Sequence, residues 1–209
     1  MNMTEKARRR FTMWIAVAIV GVLAVAGLVA WRFWPAGESD VAVPARVCDN
    51  ALPRSDVKAL LPARGKPFSE WHTGVFNPDE PYVKKVPGTC KVYGGGQSVT
   101  IKHGLYSGAG YTMQDVARDA HASGATEITL GEAKGFHNGD TTSLFAACPS
   151  EQSDGKTLVE VDVTYRKTTD QAVIRKMASL AADTLRLEAR KLWACDGAND
   201  LPNGRPLIG

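Results

Sequence analysis

The stretch from Phe11 to Trp31 carries no charged side chain, and no other feature limits what this chain can become so sharply. Its 21 residues, at about 1.5 Å of helical rise each, reach roughly 31 Å, which matches a hydrocarbon core of about 30 Å. Trp14 stands near one end, with Trp31 and Trp34 at the other, where aromatic rings settle at membrane interfaces. Lys6, Arg8, Arg9 and Arg10 precede the run, and only Arg32 follows it before Arg46. A positive flank stays in the cytoplasm. The expectation is a basic cytoplasmic tail at 1–10, a single-pass helix spanning the lipid bilayer over 11–34, and all later residues outside the cytoplasmic membrane.

A cleaved signal peptide would have an apolar region of about 7–15 residues ending at a small-residue site. Here the run is longer, its Ala-x-Ala patterns lie inside it, and no Cys follows it for lipid attachment. The reading is therefore an uncleaved signal-anchor. Without an ionisable side chain inside it, the span offers no proton or ion path. Ala26 and Ala30 form a small-xxx-small pair, a spacing an Ala-rich helix produces by chance.

The formal charge of +3 invites a nucleic-acid reading until its distribution is examined. Residues 1–34 carry a net +4, and the remaining 175 residues carry 20 Lys+Arg against 21 Asp+Glu. The basic excess thus reports orientation and attraction to anionic lipid, and the outer part lacks the polybasic stretch a nucleic-acid groove needs. No nucleic-acid partner is expected.

Residues 35–47 hold two Pro and a Gly without periodicity and read as a linker. Residues 48–209 are one domain's length of chain. Its four Cys, in an oxidising compartment, are expected as two disulfides. Three pairings exist. Cys48–Cys90 with Cys148–Cys195 is favoured, because each bond then ties an element to a distant one within its own half of the domain.

Thr157 to Arg166 alternates Val159, Val161, Val163 and Tyr165 against Glu160, Asp162 and Thr164, a strand with one wet face. Ser98 to His103 alternates likewise and follows Thr89 to Tyr93 across Gly94-Gly95-Gly96, which predicts a hairpin. Thr126 to Leu130 and Thr141 to Cys148 are further strand candidates. Thr112 with Asp115 predicts a capping box for a helix that Gly124 ends. A long helix is expected from about Asp170 to Ala194, with Val173, Met177, Leu180, Ala181, Thr184, Leu185 and Leu192 as its stripe. A short one is expected from Ser55 to Leu61. The order predicts an α+β fold: an extracytoplasmic antiparallel sheet with helices packed on one face.

An early Cys48 before a short helix, Cys90 opening a strand, a mid-domain helix, the turn Gly131-Glu132-Ala133 and a long final helix resemble a group of actinobacterial extracytoplasmic domains of unknown function, usually carried on lipoproteins. The resemblance covers about 150 residues and implies an extracytoplasmic fold without assigned catalytic residues. This chain departs from it in lacking the lipid-attachment Cys and in carrying the extra pair Cys148 and Cys195.

Motifs for nucleophilic or metal chemistry are absent from the sequence, and no cofactor is expected. Asp154-Gly155-Lys156-Thr157 ends like a phosphate-binding loop but has Ser150 where the first Gly belongs. His103 continues the Val99/Ile101 face of its strand and reads as buried. His121 suits the last turn of its helix. The Pro/Gly-rich stretch Pro67 to Pro87 is long enough to be functional, and its Phe68, Trp71, His72, Phe76 and Tyr82 form a candidate binding loop. His137-Asn138-Gly139-Asp140 with Ser143 holds the residue types of a hydrolase triad, although Asn-Gly says turn and triad members converge from separate elements. Asp115 and Asp119 lie one helical turn apart and read as a solvated face. The expected role is a non-catalytic domain binding a ligand or protein partner at the cell envelope, as an accessory subunit of a membrane assembly for example. The alternative is an envelope hydrolase using His72 or His137 with a carboxylate.

Overall fold

A computed structural model describes residues 39–77, 86–106, 110–149 and 157–209. The expected tail, the anchor over 11–34, Tyr82 and most of the Ser150–Thr157 turn lie outside the described residues. Among those described, no helix is long and apolar enough to cross a membrane.

The described unit is a mixed α+β fold on one large antiparallel sheet. Four two-residue strands, β1 (Ser39–Asp40), β2 (Arg46–Val47), β3 (Leu52–Pro53) and β4 (Arg64–Gly65), form two small ribbons, β1 with β4 and β2 with β3. The main sheet contains β5 (Ser69–Thr73), β6 (Gly88–Gly94), β7 (Gln97–Tyr106), β8 (Thr126–Leu130), β9 (Ala133–Asn138), β10 (Thr141–Ala147), β11 (Leu158–Thr164) and β12 (Leu207–Ile208). Its strand order is β12-β8-β9-β10-β11-β7-β6-β5, antiparallel throughout.

Alternation builds the inner face. Val159, Val161 and Val163 of β11 point to the same side as Leu144 and Ala146 of β10, Val99 and Ile101 of β7, and Val92 and Cys90 of β6. All are buried there in one core, with α3 (Gln171–Leu187) lying over β10, β11 and β7 and its Met177, Leu180, Ala181 and Leu185 fully enclosed. Helix α1 (Arg54–Leu60) packs on α3 through Val57 and Leu60. Gly95 and Gly96 join β6 to β7 at φ +61° and +83°, the left-handed pair a tight hairpin turn requires.

One expectation is corrected. The helices do not all lie on one face: α2 (Met113–Ala120) lies on the other side of the sheet from α3. Its Val116 is buried with Phe145 and Leu158, the residues that alternate outward from Leu144 and Val159. Phe145, Phe136, Tyr106 and Leu158 make an apolar patch on that outer face, and an apolar patch must be covered.

Three main-sheet strands are missing from the sequence reading: β9, β5 and the two-residue β12, which pairs with β8 at the edge. β9 buries Ala133, Gly135 and His137, a row of small and polar residues with no hydrophobic alternation to see. β5 lies in the stretch read as loop, and is mostly exposed because it is an edge. Within the stretch read as linker, Ser39–Asp40 pairs with β4, while Val41 and Val43 are buried in the core.

Both favoured disulfides are present, Cys48–Cys90 and Cys148–Cys195. The second follows an irregular end to α3. Glu188–Leu192 forms a π-turn, with Trp193 N–H donating to the Glu188 carbonyl at 2.8 Å, and Ala194 then turns left-handed at φ +53°.

Candidate functional site

Helix α2 covers the β8–β9–β10 side of the outer face and leaves the β5–β6–β7 side open. Register places Ser69, Tyr93 and Ser98 in one row across these strands. Trp71, Lys91 and Thr100 form the next row, and Thr73, Thr89 and Lys102 the third. Trp71 is 54% exposed and Tyr93 38% exposed. Lys91 Nζ stands 5.1 Å from the centre of the Tyr93 ring. At the β6–β7 turn this strip opens into a depression of about 460 Å³, lined among others by Lys66, Ser69, Tyr93, Gln97 and Ser98. A Cβ added at Gly96 would meet nothing within 4 Å, so the floor of the turn is bare backbone.

The candidate loop residues part company here. Trp71 points to the open face, whereas His72, opposite Cys90, points to the inner side of the same strand. His72 Nδ1 is 3.7 Å from Glu70 Oε1, and that oxygen accepts from the Asp49 N–H at 2.9 Å. Phe68 is partly buried against the core. Phe76 is buried outright and meets the His103 ring edge-on at 4.7 Å.

The triad-like residues are also separated. His137 is opposite Thr142 and Phe136 opposite Ser143, so His137 faces inward and Ser143 outward. A carbonyl can only accept, so His137 Nε2 donates to the Thr168 carbonyl at 3.1 Å, leaving Nδ1 beside Thr142 Oγ1 at 3.0 Å. Ser143 Oγ donates to Asp162 Oδ1 at 2.5 Å on the opposite face. Beside it, burial and then the Asp162 charge push the Glu160 carboxyl up to about 7. Asp115 is committed to the capping box and to Arg118 at 2.8 Å, and Asp119 accepts from the Tyr111 hydroxyl at 2.8 Å.

A buried pair escaped the sequence reading on one side. His103 Nε2 donates to the Val75 carbonyl at 2.6 Å, which leaves Nδ1 facing Glu188 Oε2 at 3.3 Å. That is an ion-pair distance, but both side chains are sealed from water and burial favours the uncharged forms. Burial lowers His103 to about 4, against the pull of the Val75 hydrogen bond, and raises Glu188 to about 8. At neutral pH a carboxylic acid therefore faces an imidazole lone pair. Gly88 makes room for the ring, since a Cβ there would sit 2.3 Å from His103 Nε2. The pair fastens residues 75–76 to the end of α3. Glu188 was findable: it continues the stripe of Ala181 and Thr184 toward Leu192, an acid at an apolar position.

A third cluster closes the C-terminal tail. Arg186 donates to Asp183 at 2.6 Å, to the Pro202 carbonyl at 2.7 Å and to the Gly204 carbonyl. Arg190 holds the Ala198 and Leu201 carbonyls at 3.0 and 2.6 Å. Burial, then a hydrogen bond with Asp183, pushes the Asp56 carboxyl up to about 6. The Asp56 and Asp183 carboxyls share a small cleft with Arg186 and Arg205, an arrangement that neutralises itself. Among the described residues, no three His, Cys, Asp or Glu side chains converge as a metal site. Compared with protein-family models, with curated proteins and with solved structures, the chain matches none.

Proposed function

We propose that this is a membrane-anchored domain that presents the open β5–β6–β7 strip to a ligand or partner at the outer side of the cytoplasmic membrane. The observation that carries the reading is the exposure of Trp71 and Tyr93, diagonal neighbours on a part of the outer sheet face that no helix among the described residues covers. A large aromatic ring left in water on a regular strand has no folding role, and clustered exposed aromatics are what binding surfaces use. The uncharged run of residues 11–31, with its basic flank, supports an anchor with the N-terminus inside. Two disulfides support an oxidising compartment. The hydrolase alternative draws no support from the separation of His137 and Ser143 to opposite sheet faces.

The test uses full-length protein in detergent and an insoluble envelope fraction from the source cells. Wild type is expected to sediment with the envelope, and Trp71→Ala/Tyr93→Ala to lose retention at least fivefold. Equal retention of the two proteins overturns the reading.

A further inference from the structure

We propose that the depression at the β6–β7 turn, continued by Tyr93, Lys91 and Trp71, binds an acidic polysaccharide chain. This rests on the binding role proposed above and names the chemical class of its ligand. The site is shallow and open along the sheet, suiting a polymer that passes across it, whereas small solutes are held in enclosing clefts. Trp71 pairs with Lys91, and Tyr93 lies two residues further along β6, which sets the two aromatic residues diagonally at about 7–8 Å. That separation falls within the span of a disaccharide. Each pyranose presents an apolar C–H face that stacks on an aromatic ring, and hydroxyls that need donors and acceptors. Ser69, Ser98 and Gln97 supply those beside Tyr93, and the bare backbone at Gly96 lets a ring approach closely.

The charge of the strip selects an anionic polymer. Lys66 lines the depression, and Lys91 stands opposite Trp71 with its Nζ near the Tyr93 ring, while among the described residues no carboxylate lines the depression. Glu70, the acid of β5, faces the inner side with Val92. Aromatic and basic side chains together also bind single-stranded nucleic acid, but such grooves track a phosphate at every nucleotide with many cations. Here Lys66, Lys91 and, a row further on beside Asp162, Lys102 stand on a chain whose residues after 34 balance at 20 Lys+Arg against 21 Asp+Glu. A few spaced charges on a sugar polymer fit that supply better.

The experiment is titration calorimetry on the full-length protein in detergent. The probes are polygalacturonate oligomers, neutral β-glucan oligomers of equal length, and oligothymidylate. Polygalacturonate is expected to bind, with affinity falling as salt rises, and the neutral oligomers to bind at least tenfold more weakly. Trp71→Ala should weaken polygalacturonate binding at least tenfold, and Lys66→Gln/Lys91→Gln should weaken it and flatten its salt dependence. Leu207→Ala, at a still more exposed apolar residue at the far end of the sheet, should leave binding unchanged. Unaltered melting temperatures of the surface variants show that each remains folded. Equal binding of neutral glucan, tighter binding of oligothymidylate, or no binding of polygalacturonate each overturns the proposal. If polygalacturonate fails while Trp71→Ala/Tyr93→Ala still releases the protein from the envelope fraction, the ligand class is wrong and the binding role stands.

Discussion

Glu188 and His103 are 85 positions apart in the chain and meet as an uncharged pair whose protonation is tied to folding. Glu188 titrates near 8 in the fold against an ordinary 4.5. Its contribution to stability is complete below 4.5 and is lost as pH rises through 8. His103 titrates near 4 against an ordinary 6.5, so its contribution is complete above 6.5 and is lost as pH falls through 4. From 4.5 to 6.5 the two slopes oppose each other. Above 6.5 Glu188 acts without that opposition, alongside a smaller loss from Glu160, which titrates near 7. Glu188→Gln keeps a donor toward His103 Nδ1 and cannot ionise. Its melting temperature should fall less between pH 6.5 and 8.5 than that of the wild type, by circular dichroism. Parallel falls in the two proteins would mean that Glu188 is already ionised in the folded state.

Among the elements, α2 shows how local chemistry and tertiary demand divide the work. Thr112 Oγ1 accepts from Asp115 N–H, and Asp115 Oδ2 accepts from Thr112 N–H at 2.8 Å, so both ends of the box are closed. The Thr112 hydroxyl, donating to Asp115 Oδ2 at 2.7 Å, and then the Thr112 N–H hold the partly exposed Asp115 carboxyl below its usual range. A helix of eight residues is too short to persist alone, and Val116 anchors it by packing on Phe145 and Leu158. Thr112→Ala removes the cap and should destabilise the domain by about 1 kcal/mol, read from denaturant midpoints. A change below about 0.3 kcal/mol would show that packing alone holds the helix. The capping box was legible in the sequence because it lies within four residues. The side of the sheet that α2 occupies was not, because it depends on Phe145 and Leu158 pointing away from α3.

For the whole molecule, the disulfides set the margin of stability. Cys48–Cys90 closes 42 residues and holds the β2–β3 ribbon to β6, next to the edge strand of the sheet. Cys148–Cys195 closes 47 residues and holds the end of β10 to the chain just beyond α3. The chain-entropy model assigns about 4 kcal/mol to each. Against a typical domain stability of about 5–15 kcal/mol, loss of one is survivable and loss of both consumes most or all of the margin. Cys148→Ser/Cys195→Ser should therefore fold with an unfolding free energy lowered by about 4 kcal/mol, read from denaturant titration, and the fourfold Ser variant should lack a cooperative transition. A fourfold variant that unfolds as cooperatively as wild type would mean that core packing suffices without them.

What the sequence determined by itself is whatever nearest neighbours decide. The alternation of Val159, Val161 and Val163, the paired glycines of the β6–β7 turn and the Thr112–Asp115 cap are short-range patterns, and each became the element it predicted. Tertiary structure alone decided which sheet face stayed wet, that Trp71 turned outward while Phe76 turned in beside His103, and that Glu188 came to rest opposite an imidazole. The reason is that burial belongs to pairs of surfaces. A strand's pattern says that its faces differ, but which helix covers which face is settled only when distant segments compete for the same apolar area. The open strip on β5, β6 and β7 is what that competition left uncovered.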